Sequence, residues 1–169
     1  ANGRYALAGA KLVDLSTGES VDVGDPSPSR AVFRFDGRVI ATSSRRQVRQ
    51  WLVPSGEPTG EGIQYGSDIG MLAYSPAGDL IAVGGGDNTV QLFDSRTGEP
   101  HSPRLEINST PNWLSFSPDC HTLLVGCIDR SVRFVNVTDG RLVGPILRHS
   151  DVLAGAAFAG SDHTALTIC

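Results

Sequence analysis

The chain has 169 residues, 40% of them hydrophobic and 19% charged, the profile of one folded domain and not of a disordered segment. Its net charge of −4 supplies no basic surface for a phosphate backbone, so nucleic acid is not the default partner. The three cysteines, Cys120, Cys127 and Cys169, form neither a disulfide framework nor a metal-ligand spacing and fit a reducing, cytoplasmic compartment. The longest nearly apolar run, 152–160, falls well short of the ~20 residues of a membrane span.

Strand signals begin at Tyr5–Ala8 and 11–15, closed by the turn Ser16, Thr17, Gly18. Next come 31–35, turned by Asp36 and Gly37, then 39–43 and 48–53, then a turn at Ser55 and Gly56 into an ill-defined fourth strand. The stretch 75–100 carries the pattern most clearly. Around it the spacing predicts strands over 71–74, 80–83 and 89–93, with a last strand near 104–107. Strands over 113–116, 122–126, 131–137 and 142–147 repeat it, and 153–158 with Thr164–Ile168 begins it again. Gly, Asp, Asn and Ser-Pro fill the turns, where their backbone preferences suit reversals.

Several registers recur at a spacing of 42 residues: Gly56, Gly98 and Gly140; Val48, Val90 and Val132; Tyr74, Phe116 and Phe158; Asp87 and Asp129. The units run over about 1–29 (partial), 30–68, 69–110, 111–151 and 152–169 (partial) of a single domain. A four-stranded sheet this small has apolar residues at adjacent positions, such as Leu92 and Phe93. Both of its faces therefore need cover, which stacking of successive sheets supplies.

These residues resemble the WD-repeat family of β-propellers. The repeat length fits the family's ~40–45 residues. Ser75-Pro76-Ala77-Gly78 and Ser117-Pro118-Asp119-Cys120 match its Ser-Pro turn, Asp87 and Asp129 its turn acid, and Phe93-Asp94 its strand end. Trp51 and Val135 stand at the same aromatic position, and Thr17-Gly18 and Thr97-Gly98 match its Thr-Gly turn. The resemblance implies an all-β fold: a β-propeller of four-stranded WD-type blades, about four of them in this chain as a partial or half ring. Its style is similar to bacterial WD-repeat domains attached to regulatory ATPases or kinases. The chain starts without Met and reads as a trimmed piece. Three arrangements fit the blade count: part of a longer ring of about seven blades, a homodimer of half-rings, or a closed four-blade ring. The last is disfavoured because the final strand would compete with Tyr5–Ala8 for one place.

In that family a His ahead of the first strand, the turn Asp, a Ser or Thr and a Trp form an internal hydrogen-bonded set. Here the His place holds Tyr65 and Ile107, and only His149 sits correctly. Arg45 stands where the first full unit should carry its Asp. The expectation is that individual blades lack the polar clamp and lean on apolar stacking.

No catalytic constellation is present in the sequence. Gly84-Gly85-Gly86 lies at a strand-to-strand turn without the Lys and helix of a phosphate loop, and His101, His121, His149 and His163 do not pair at ligand spacing. No metal or cofactor is expected. A propeller enzyme with a channel-mouth metal or acid/base pair is the competing class, but the innermost strands open on Met71, Trp113 and Gly155. The expected role is non-catalytic recognition: an interaction scaffold for a protein or peptide partner, in a larger regulatory protein or in a half-ring that assembles.

Between Arg30 and Arg49 lie six arginines and one acid, Asp36. Arg30, Arg45 and Arg46 fall on one rim, beside Asn112 and Trp113, and are the candidate partner-binding residues for an acidic partner. A solvated rim paired with neighbouring acids, and a Trp113 packed between blades, are the plainer alternatives. Asp87 and Asp129, expected to accept turn amides, together with His149, Trp51 and Phe93, are the candidate structural repeat residues.

Overall fold

The computed structural model describes residues 3–151, 153–159 and 164–168, which are strands and turns without a helix. Among these residues no helix is long and apolar enough to cross a membrane. The first sheet is β1 (Tyr5–Ala8), β2 (Lys11–Asp14) and β3 (Ser20–Asp22). The second comprises β4 (Arg30–Phe33), β5 (Val39–Ser44), β6 (Gln47–Leu52) and β7 (Ile63–Gln64). The third comprises β8 (Ile69–Tyr74), β9 (Leu80–Gly85), β10 (Thr89–Asp94) and β11 (Leu105–Glu106). In the fourth are β12 (Pro111–Phe116), β13 (Thr122–Cys127), β14 (Ser131–Asn136) and β15 (Leu142–Arg148), and β16 (Gly155–Ala159) pairs with β17 (Thr164–Ile168). Each sheet is an antiparallel meander in chain order. The two partial sheets stay separate: β1 does not pair with β17.

The apolar contacts explain why the sheets stack. Successive side chains of a strand point to opposite faces, so Leu92 and Phe93 serve different neighbours. Phe93, with Ile81 and Val83, packs on Val39, Ala41, Val48 and Ile63 of the second sheet. Leu92, with Ala82 and Val90, packs on Leu123, Val125 and Val135 of the fourth. Smaller clusters join the first sheet to the second through Leu12, Val23, Ile40 and Trp51, and the fourth to the fifth through Leu124, Val132, Leu153 and Ala156. Every core cluster thus lies between two consecutive sheets. Each fully buried Ile or Leu in them contributes about 1.5–3 kcal/mol. The strands that open the sheets pack side by side in the order β4, β8, β12, β16. They form the inner edge of the stack and run from an upper rim, where they start, to a lower rim, where they turn back.

Turn chemistry sets the strand ends. Ser75 Oγ accepts the Leu80 amide and donates to Asp79, and Ser117 Oγ does the same with Thr122 and Asp119. Gly78 and Cys120 occupy one left-handed position of that turn, at φ 77° and 62°. The strand expected over 31–35 ends earlier, at Phe33, because Arg34 N donates to Val39 O and Gly37 N to Arg34 O. That turn lifts Phe35 out of the sheet, where it is 74% exposed. The ill-defined outer strands of the second and third sheets reduce to two residues each, preceded by isolated bridges at Pro58 and Pro100. Proline has no amide to donate, so the ladder breaks there.

Candidate functional site

The upper rim is built from the β5–β6, β9–β10 and β13–β14 turns and from the loops that lead into β4, β8 and β12. Arg45, Asn88 and Arg130 each hold a left-handed position in those turns, at φ 52°, 64° and 66°. Asn adopts that conformation readily; for Arg it is costly. The neighbouring loop fixes the turn: Ile69 N donates to Arg45 O and Tyr65 N to Arg46 O.

The register bears on the expectation that Arg45 stands in the place of the turn Asp. Ser43 pairs with Val48 across four residues, whereas Gly84 pairs with Val90 across five. The β5–β6 turn is one residue shorter; counted back from Val48, Arg45 stands where Asp87 stands before Val90. Arg45 is exposed, and its side chain makes no hydrogen bond or ion pair among the described residues. Arg46 faces Asp68 at 3.5 Å, with both side chains mostly in solvent, a pair of little energetic weight. Arg30 is more committed: its Nε donates to Gly70 O at 2.6 Å and Nη1 to Ser29 O.

Gly70 in turn approaches the Pro111 carbonyl, so Arg30, Gly70 and the start of β12 form a continuous line. Trp113 stands there at 36% exposure, after a register shift between Pro111 and Trp113. Asn112 is half-buried, and its Oδ1 has no hydrogen-bond partner among the described residues. The structure therefore brings Arg45 and Arg46 together with Asp68, and sets Arg30, Asn112 and Trp113 along the inner edge of the same rim.

The polar clamp expected to be missing is present in altered form. In the second sheet Trp51 Nε1–H donates to Thr42 Oγ1 at 2.9 Å, and Thr42 donates to Asp25 Oδ2 at 2.8 Å. Asp25, only 2% exposed, sits in the loop before β4. In the third sheet Thr89 donates to Asp87 Oδ1, so the hydroxyl of Tyr65, 2.6 Å from Thr89 Oγ1, must be the donor of that pair. Arg104 donates to both Thr89 and Asp87 and lies over the Tyr65 ring. Tyr65 and Phe93 meet edge to face.

Burial pulls the Asp87 carboxyl upward, but the hydrogen bond from Thr89 and the charge of Arg104 outweigh it and hold it below the usual range. Asp129 is lowered against the same burial cost by Ser131, through both hydroxyl and amide, and by Arg133. The expected acceptance of a turn amide occurs at Asp129, from Ser131, and at Asp87 a backbone amide adds to its side-chain donors. Trp51 is buried as well as hydrogen-bonded. His149 is half-buried with Nε2 lacking a partner among the described residues. His101 and His121 lie in exposed turns, and Cys120 and Cys127 are free thiols. His163 and Cys169 lie outside the described residues.

Among the described residues no group of three His, Cys, Asp or Glu side chains is placed to hold a metal ion. A row of four-stranded meanders, joined face to face with their first strands along one inner edge, defines blades of the β-propeller type. Residues 61–94 and 104–136 match the family model described as WD domain, G-beta repeat. Over these residues the chain is built of WD repeats. No curated protein matches it. WD-repeat domains are in general protein-interaction modules, typically without catalytic activity.

Proposed function

We propose that this chain is a non-catalytic recognition module whose upper rim captures an acidic segment of a protein or peptide partner. The observation that carries the reading is Arg45: an unpaired guanidinium held out on a turn whose backbone it does not suit. Arg46 beside it is tied only to a solvent-exposed carboxylate, and Arg30 and Trp113 continue the surface along the inner edge. Arginine forks bind carboxylates through two parallel hydrogen bonds, and an exposed Trp supplies an anchor. The reading includes service as the sensing part of a larger regulatory protein or of an assembly of copies, in a reducing, cytoplasmic setting that fits the free thiols.

The test is fluorescence anisotropy of a labelled tetraglutamate peptide carrying one Trp. Joint Arg45→Glu and Arg46→Glu replacement should weaken binding by roughly tenfold or more while the melting temperature stays nearly unchanged. Equal binding by the charge-reversed protein would overturn the rim assignment.

A further inference from the structure

The rim opposite the arginines has a different character. Where β4, β8 and β12 end, Val32, Phe33, Leu72, Leu114 and Phe116 wall an open apolar hollow of about 270 Å³. Phe35, three-quarters exposed, stands at its edge beside Pro76. The turns around it carry Asp36, Asp79 and Asp119 against Arg34 and Arg38, and Arg34 is already engaged by Asp36 through two hydrogen bonds. The outer turns of the same rim add Glu57, Asp94, Glu99 and Asp139 against Arg96 and Arg141. Acids outnumber bases here. The upper rim is balanced instead, with Arg30, Arg45, Arg46, Arg104, Arg130 and Arg148 beside Asp25, Asp68, Asp87, Glu106, Asp129 and Asp151.

We propose that this lower mouth is a second docking site, for a peptide segment that offers one large apolar side chain flanked by lysines or arginines. The hollow takes the apolar side chain, with Phe35 closing over it as a contact of hot-spot type. The acidic turns select the flanks and speed encounter, as complementary charge does at interfaces. The upper rim offers the same segment no such surplus of acid. This proposal does not depend on the acidic-partner reading.

The probe is a labelled peptide Lys-Lys-Phe-Lys-Lys, titrated by anisotropy into the whole chain. Binding is expected to fall roughly tenfold in Phe35→Ser, and by about two- to threefold in Asp79→Asn. It should be unchanged in the Arg45→Glu, Arg46→Glu protein, which separates it from the upper-rim reading. The peptide with Ser in place of Phe, and the peptide Glu-Glu-Phe-Glu-Glu, should each lose this Phe35-dependent binding. The melting temperature of each variant is read on the same sample, so that loss of the fold is told apart from loss of the contact. Failure of the Lys-flanked peptide to bind, indifference to Phe35→Ser, or equal affinity of the Ser peptide would each overturn the site.

Discussion

The second and third sheets carry the same hairpin, yet spend it differently. In the third, the β9–β10 turn supplies Asp87, and Arg104, Thr89 and Tyr65 absorb its charge inside the chain. In the second, the acid of the polar set comes from Asp25 in the preceding loop. The β5–β6 turn is then released from holding the blade. It is a residue shorter and presents Arg45 and Arg46 to solvent. With the carboxylate supplied from the loop, the β5–β6 turn is free of the polar set and carries its two arginines in solvent.

If that division of labour is right, the second sheet should be hurt most by losing its buried link. Thr42→Val removes the hydroxyl that joins Trp51 Nε1–H to Asp25 and strands both in the core. The expected loss is about 3 kcal/mol, seen as a lower midpoint in urea with an unchanged slope. In the third sheet, a methyl group at Gly85 would collide with Ser67 Oγ and lie 2.6 Å from the Tyr65 ring and 2.7 Å from Asp87 Oδ1. Gly85→Ala should therefore cost about 1–3 kcal/mol. Tyr65→Phe loses one hydrogen bond while Thr89 keeps Arg104 and Asp87, so about 1 kcal/mol is expected.

The pH dependence sharpens the contrast further. Asp87 and Asp129 are held below the ordinary carboxylate range. Their contribution is fully present above the unfolded-state value near 4 and is lost as pH falls through the depressed folded values. Denaturation midpoints should accordingly drop below about pH 4, and Asp87→Asn should flatten that decline in proportion to its share. An unchanged acid limb in Asp87→Asn would remove the turn acid from the stabilising set.

The stacking of sheets was legible in the sequence because its cause is periodic. Adjacent apolar residues such as Leu92 and Phe93 need two covered faces, and the registers of Gly56, Gly98 and Gly140 mark the same turn in each unit. The polar sets were hidden for a different reason. Asp25 reads as one more turn residue in a Gly-Asp-Pro stretch, and nothing local reveals that it is buried against Thr42 from 17 positions away. Tyr65 does its bonding from the ring's far end, to a Thr in another strand, which a search for His at that place does not register. The shortened β5–β6 turn was masked because Val48 and Val90 keep their spacing while the deletion falls just before them. On the rim, composition pointed to Arg30, Arg45 and Arg46. Only the fold separates the stapled Arg30 from the unpaired Arg45.

Arg45 is held in an unfavourable backbone conformation, and the proposed reason is what it binds. Arg45→Gly tests this in one protein, by measuring the urea midpoint and the affinity for the Trp-bearing tetraglutamate peptide on the same sample. Relief of the left-handed strain should raise stability by about 0.5–1 kcal/mol while peptide affinity falls several-fold. A variant that binds the peptide as tightly as the parent, or that loses stability, would contradict it.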